Sequence, residues 1–475
     1  MNISISSFKG INKLESFPIK RVNVLTGANS GGKSSLIHLL LLLKQSIEAA
    51  SFESALKLNK PYVSLGKFES ILYNEKNSNT FSVTFHLDNT DIGSNSKLLD
   101  KYLGTIEEKG QFKQIDVYFS FKKATKRIVV KQYKISIFYN GYVENKYLDI
   151  ERNIRGNKYA IKTNAPFLFL KKPLFSNIVN EGDYREMTAN VLFSSFFPYE
   201  IENSSVEVMF GPFNRVIRNI IYRFFNGVTY IGPLREEPRE YYFQDDDFVD
   251  SIGNKGENAA FIYANYSQEV ISTYKYSITR GELEDKVVNI TLENALNHWL
   301  CEIFEMAKTI RVDRAKTNRH IHTVTLTNNN GKKIPITHVG FGISQVLPII
   351  VEGLRPSQNT SLIILEQPEI HLHPKVQSLL FDFLSSISLN KSVLVETHSD
   401  HFIHRLRRRV AEDKQCNLLN KIVLTFVNNQ VDGTEYDVIK LEENGTIKKW
   451  PSGFFDQYDN EFKLLIKAQS KKNRI

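Results

Sequence analysis

The sequence predicts an α/β protein, and three stretches predict it. Val22–Thr26, Leu362–Leu365 and Ser392–Thr397 are short apolar runs of the kind that form buried strands. The first leads through a glycine-rich turn into an apolar helix pattern, Ser34–Ser46 (SSLIHLLLLLKQS). Between the first run and the other two lies a long stretch with a two-residue period. The expected architecture is an α/β head built from both chain ends, with a β-rich insertion and mixed helical segments.

Asn2–Phe8 alternates and reads as a strand. Val22–Ser35 (VNVLTGANSGGKSS) contains Gly27-x4-Gly32-Lys33-Ser34, set between a strand and a helix. This is the order a phosphate-binding P-loop needs. Gly27, Gly31 and Gly32 let the backbone turn its N–H groups toward an anion, and the helix N-terminus adds positive potential there. Ala28, Asn29 and Ser30 complete the loop, and Ser35 continues the helix. Lys33 can reach the β- and γ-phosphates, and the Ser34 hydroxyl can ligate Mg²⁺.

From Phe81 to about Tyr147, runs such as FSVTFHL, QIDVYFSF and RIVVKQYKISIFYNG alternate, with turn residues between them. They predict antiparallel strands. Ala165–Asn203 is aromatic and irregular and gives no assignment. Phe213–Phe225 has helical spacing with arginines between its apolar positions. Val228–Ile231 runs into GPLREEPREYY, a loop stiffened by Gly232, Pro233 and Pro238 that holds Arg235 and Arg239. Gly253 and Gly256 precede another helix, Leu292–Ala307 is helical in pattern, and Thr323–Thr337 reads as a hairpin around Asn328–Gly331. No long heptad repeat is present, so no extended coiled-coil arm is expected.

Gly340-Phe-Gly342-Ile-Ser344-Gln345 is a glycine-rich turn before an apolar helix. The run Leu362–Leu365 ends in Glu366, which can hold the water shell of Mg²⁺ beside a P-loop strand. The run Ser392–Thr397 ends in His398 and Ser399. The expected segments are 1–75, an N-terminal lobe with the P-loop; 76–230, the β-rich insertion; 231–335, helical and hairpin segments; 336–420, a C-terminal lobe; and 421–475, an extension.

Together these motifs resemble the ABC-type P-loop ATPase heads of the SMC, RecF and OLD group. GPLREEPREYY and WPSGFFDQ (Trp450–Gln457) also resemble a bacterial AAA-type branch, some members of which lie in phage-defence loci. The resemblance covers both chain ends and is loose over residues 75–230. It implies that the two lobes form one ATPase using ATP and Mg²⁺, with Gly27–Ser35 as Walker A and Gly340–Gln345 standing where the ABC signature sits. Glu366 would take the Walker B place, with Ser34 as the other metal ligand, and His398 would be the switch histidine. In such heads the signature of one subunit (here Gly342, Ser344 and Gln345) closes over the nucleotide of another.

Gln367 stands where related ATPases carry the glutamate that activates water, and an amide is no general base at neutral pH. Glu369 or His398 would have to substitute, or turnover would be slow. The resemblance implies a homo-oligomeric assembly switch in anti-phage defence, with a separately encoded effector such as a nuclease and a trigger that is DNA or a phage protein. A DNA-repair or chromosome-maintenance clamp, and a nucleotide-locked scaffold with negligible turnover, are the alternatives.

The remaining features bound these readings. The 475 residues are 41% apolar and 24% charged, ordinary values for a globular protein. A net charge of +9 permits a nucleic-acid partner without requiring one. No apolar block is long enough to span a bilayer. With no secretory signal at the N-terminus and only Cys301 and Cys416, a cytoplasmic location is expected. His371, His373, His398, His401 and His404 invite a zinc reading that no cysteine supports. The stretch HRLRRRV, with Arg405, Arg407, Arg408 and Arg409, reads either as a phosphate-binding patch or as a solvated helix face. Arg235 and Arg239 either clamp an anion or tie the insertion to the core. Asp432, Glu435, Asp437 and Glu442 lie in a short strand-rich tail, so no nuclease is expected in this chain.

Overall fold

A computed structural model describes the chain apart from residues 29–30, 75–77, 93–111, 140–144, 154–157, 166–184, 204–205, 210–211, 244–248, 315–320, 329, 357–359, 389–390, 449–456 and 473–475. It divides into two units. The first takes Met1–Ile19, Ser34–Gly227 and Asn429–Glu435, and the second takes Lys20–Lys33, Val228–Asn428 and Tyr436–Ile475.

The chain begins with β1 (Asn2–Phe8), β2 (Ile11–Pro18), β3 (Val22–Gly27) and α1 (Lys33–Ala49). Then come β4 (Thr80–Leu87), β5 (Phe112–Ala124), β6 (Arg127–Tyr139), β7 (Lys146–Arg152), β8 (Tyr159–Thr163), β9 (Arg185–Ser194), β10 (Phe197–Asn203), β11 (Val206–Met209) and α2 (Pro212–Asn226). Ten of these strands form one sheet, in the order β11-β10-β9-β8-β7-β6-β5-β4-β1-β2. Each neighbouring pair is antiparallel. Hairpin-linked strands pair with their sequence neighbours at the lowest loop cost, which gives this meander.

Strict alternation in β4 buries Phe81, Val83, Phe85 and Leu87. These pack with Phe119, Phe121, Phe196 and Phe197 into an aromatic core. Helix α1 buries its whole leucine run, Leu39–Leu43. Helix α2 buries Phe213, Ile217, Ile221 and Phe225, a stripe of helical period. The buried Lys44 ammonium pairs with Glu48 (2.7 Å) and donates to the Phe225 carbonyl (3.3 Å) in the last turn of α2.

Two results differ from the sequence reading. Phe197–Asn203 and Arg185–Ser194, in the stretch for which the sequence gives no assignment, are strands. The N-terminal strands β1 and β2 also join the same sheet as the strands that follow the P-loop helix, because β1 pairs with β4 from Asn2↔His86 to Ser6↔Ser82.

The second unit adds β12 (Val228–Ile231), β13 (Tyr242–Phe243), α3 (Ala259–Tyr266), β14 (Val270–Ser277), β15 (Glu282–Thr291), α4 (Leu292–Asn297), β16 (Thr309–Arg314), β17 (Ile321–Thr327) and β18 (Lys333–Pro335). It continues with α5 (Phe341–Leu354), β19 (Leu362–Glu366), α6 (Pro374–Ile387), β20 (Ser392–Glu396), α7 (Asp400–Glu412), β21 (Ile422–Gln430), β22 (Gly433–Ile439) and α8 (Gln457–Lys472). Its central sheet has the order β12-β19-β20-β3-β21-β22. The pairs from β12 to β21 are parallel. Strands β19 and β3 are buried almost throughout, as parallel strands covered on both faces must be.

The sequence reads residues 421–475 as an extension. In the structure β21 runs beside the P-loop strand from Ile422↔Val22 to Val427↔Gly27, and its run Ile422–Val427 is buried as a parallel strand covered on both faces must be. The helix expected over Leu292–Ala307 is α-helical to Asn297 and widens into π turns over His298–Ile303. The hairpin expected near Asn328 is β17–β18, closing on Thr327↔Lys333. Among the described residues, no helix is long and apolar enough to cross a membrane.

Candidate functional site

The glycine loop leaves β3 in a conformation only glycine accepts. Gly27 has φ +142°, and a Cβ on it would stand 2.0 Å from the Val427 carbonyl oxygen of β21. A Cβ on Gly31 would come within 2.9 Å of the carbonyl oxygens of Ala28 and Val427. The Gly31 N–H donates to the Ala28 carbonyl (3.1 Å), and the Tyr436 hydroxyl donates to the Gly32 carbonyl (2.8 Å). A neighbouring strand and a distant tyrosine thus fix the curl of the loop.

Lys33 is 4% exposed. Its ammonium donates to the carbonyls of Ala28 (2.7 Å) and Gly27 (3.0 Å). Burial lowers its pKa, while Glu396 and then Glu369 act to raise it. Asn29 and Ser30 lie outside the described residues. Ser34 and Ser35 follow Lys33 directly in α1 and belong to the first unit.

The carboxylates stand at the ends of parallel strands. Glu366 ends β19 and Glu396 ends β20, and the two are register partners; Glu396 in turn faces Leu25 of β3. The strand carrying Glu366 is therefore one place removed from the P-loop strand, not beside it. Parallel order is set by crossover connections that a sequence does not reveal. The Tyr230 hydroxyl of β12 donates to Glu366 Oε1 (2.9 Å).

Arg235 is buried, and burial pushes its guanidinium down to about 10. It donates to the carbonyls of Glu366 (3.0 Å) and Gln367 (3.3 Å). Gln367 takes φ +44°, and its N–H donates to the Glu396 carbonyl (2.8 Å). This left-handed turn swings the chain so that buried Glu369 accepts from the His398 N–H at 2.6 Å. Burial raises the Glu369 pKa, against the pull of the His398 N–H, Thr397 and Arg235. His398 is shifted down, by burial and then by the Lys33 charge. Lys33, Glu366, Gln367, Glu369, Glu396, His398 and Arg235 are thus linked by short contacts and by their fields.

Gly342, Ser344 and Gln345 sit in the first turns of α5. Ser344 and Gln345 are buried, and the Ser344 hydroxyl donates to the Phe341 carbonyl (2.7 Å). A Cβ on Gly342 would stand 3.3 Å from the His371 carbonyl oxygen, so this turn packs on the loop after β19. No hydrogen bond joins these three residues to Gly27–Lys33 among the described residues.

In the arginine patch only Arg408 lies on an exposed helix face, and the others make structural ties. Arg409 is buried in an ion pair with fully buried Asp382 (2.6 Å) and also reaches Glu412 and the Gly281 carbonyl. Arg405 faces Asp382 at 3.6 Å, Arg407 donates to the Gly445 carbonyl (2.9 Å), and Arg408 pairs with Glu412 (2.7 Å). Arg405 and Arg409 tie α7 to α6, and Arg409 also ties it to the β14–β15 turn. His373 caps α6, its ring accepting from the Lys375 N–H at 3.3 Å. No group of three or more His, Cys, Asp or Glu stands placed for a metal among the described residues.

Three partners escaped the sequence reading. Glu396 had a usable signal, since it ends an apolar strand just as Glu366 does. Tyr230 and Tyr436 had none, because only the fold brings them to Glu366 and Gly32.

A family model described as AAA ATPase domain matches residues 1–403, and a second, described as protein of unknown function (DUF3696), matches residues 420–465. No curated protein matches the chain. Among solved structures, the SMC head domain from Thermotoga maritima is similar at 10% identity, over 93% of this chain and 98% of that one, with a TM-score of 0.38. An Smc head domain with an extended coiled coil, bound to the C-terminal domain of ScpA and derived from Pyrococcus furiosus, is similar at 8% identity. That match covers 98% of each chain, with a TM-score of 0.41.

Proposed function

Because this chain belongs to the AAA ATPase domain family, we propose that it binds ATP with Mg²⁺ at Gly27–Ser35 and hydrolyses it slowly, as a switch for assembly. The single observation carrying this reading is the buried Lys33 ammonium, held on its own loop by carbonyls at 2.7 and 3.0 Å and set in the field of Glu396 and Glu369. A buried lysine over a glycine cradle has one common use, which is to meet phosphate.

Bound ATP with Mg²⁺ supplies the γ-phosphoryl group and the cation that neutralises its charge. Lys33 would exchange the carbonyls of Gly27 and Ala28 for phosphate oxygens. The Ser34 hydroxyl and the Glu366 carboxylate, oriented by Tyr230, would hold the metal and its water shell. Gln367 offers only an amide, so Glu369 is the better group to take a proton from water, and His398 reports on the γ-phosphate. Gly342, Ser344 and Gln345 would meet the nucleotide of a second copy, making ATP the glue of a homo-oligomer.

Read with the motifs GPLREEPREYY and WPSGFFDQ, the switch serves anti-phage defence with a separately encoded effector. Residues 450–456 of the second motif lie outside the described residues. A test needs three measurements. Wild type should bind ATP tightly and Lys33→Ala should not; Gln367→Glu should speed turnover; and the mass in solution should rise with ATP. Absence of ATP binding by the wild type would sink the proposal, and no rate increase in Gln367→Glu would remove the slow-switch part. Purification with the products of neighbouring genes, with and without ATP, tests the defence setting.

A further inference from the structure

The first unit holds a cleft that the proposed mechanism does not use. It is a cavity of about 210 Å³ lined by Tyr133, Phe197, Pro198, Tyr199, Arg215 and Arg218, with Asn214 at its wall. Arg215 and Arg218 stand one turn apart on α2, so both can address one ligand. The opposite stripe of that helix, Phe213, Ile217, Ile221 and Phe225, is buried in the sheet core. Neither arginine pairs with a carboxylate among the described residues. The Arg218 guanidinium lies 5.9 Å from the Tyr222 ring centroid, a contact that leaves its charge in place.

Beside these charges stand two exposed rings. Tyr199 is 43% exposed and Phe52 51%, and they meet edge to face with centroids 5.6 Å apart. This differs from the HRLRRRV stretch, where acids and carbonyls take up the arginines. Here, among the described residues, two guanidinium forks without an acidic partner line a cavity bordered by the exposed Tyr199 ring. Forked N–H donors match phosphate oxygens, and a rigid ring offers a stacking face to a base.

We propose that this cleft is a second nucleotide site, apart from the P-loop. It takes one nucleoside phosphate unit, with the phosphate on Arg215 and Arg218 and the base against Tyr199. A cavity of about 210 Å³ is smaller than the pockets of roughly 300–1,000 Å³ that enclose drug-sized ligands, so it takes the phosphate end of a single unit and leaves the base on the exposed Tyr199 ring.

The test uses the full chain with Lys33→Ala, so that the P-loop does not contribute, and N-methylanthraniloyl-AMP as the fluorescent probe. Saturable binding is expected. Arg215→Ala and Arg218→Ala should each weaken it about tenfold, as loss of a charge-assisted contact does. Tyr199→Ala should weaken it about fivefold, and Tyr199→Phe should leave it unchanged. Unlabelled AMP displacing the probe better than oligothymidylate at equal nucleotide concentration identifies a free nucleotide as the ligand. The reverse order identifies one unit of a strand. Absence of saturable binding, or affinity unchanged in both arginine variants, overturns the proposal. Arg215 is exposed, so its variant should melt as the parent does; unchanged melting with unchanged affinity counts against the site. ATP binding by the wild type is measured separately, so a failure at the P-loop is told apart from a failure here.

Discussion

At the scale of single residues, burial decides the charge states. The Glu369 carboxyl is held above the ordinary value of 4.5 by burial. The folded protein therefore binds this proton more tightly than the unfolded chain. That contribution to stability is complete below about 4.5 and is lost as pH rises through the raised value. If Glu369 takes the proton from water, turnover should rise with pH through the same titration. Glu369→Gln should keep ATP binding while cutting turnover about 10²-fold, read by phosphate release. His38 behaves in the opposite sense. Burial and the Lys9 ammonium, 2.8 Å from its ring, push it from 6.5 down to about 4. Its contribution is present above 6.5 and is lost as pH falls toward about 4. His38→Gln should shift the acid-unfolding midpoint, followed by circular dichroism, to lower pH.

At the scale of elements, close approach and paired charge set what each segment tolerates. Gly27→Ala would force a Cβ to 2.0 Å from the Val427 oxygen at φ +142°. Thermal melting should show a loss of about 2–4 kcal/mol, and ATP binding should vanish with it. Helix α7 hangs on α6 through Arg409 and Asp382, both buried. Asp382→Ala would strand a guanidinium in the interior, at a cost of about 3–5 kcal/mol by denaturant melts. Several elements could be read directly from the chain. The alternation of β4–β6, the helical stripe of α2 and the glycine loop each carry their period or turn residues locally. Phe197–Asn203 could not be read in that way, because Pro198 and the register shift between Pro198 and Glu200 break its alternation.

At the scale of the whole molecule, the chain belongs to the AAA ATPase domain family and has a mixed α/β fold, with a parallel sheet drawn from distant segments. Strand β21 covers one edge of the P-loop strand, and its Val427 carbonyl shapes the loop. A chain stopped after residue 421 should therefore aggregate on expression, with β3 left as an open, apolar edge. A soluble product that still binds ATP would contradict this. The sequence by itself determined the strand–loop–helix around Lys33, the carboxylate at 366, the amide at 367 and the β-rich stretch, because these are written in local spacing and residue type. Only the tertiary structure decided that β20 lies between Glu366 and the P-loop, and that Glu396, Tyr230 and Arg235 complete the cluster. It also decided that Arg405 and Arg409 of α7 face the buried acid Asp382. Strand order and side-chain partners come from pairings across hundreds of residues, and no local pattern encodes which distant strand fills an edge.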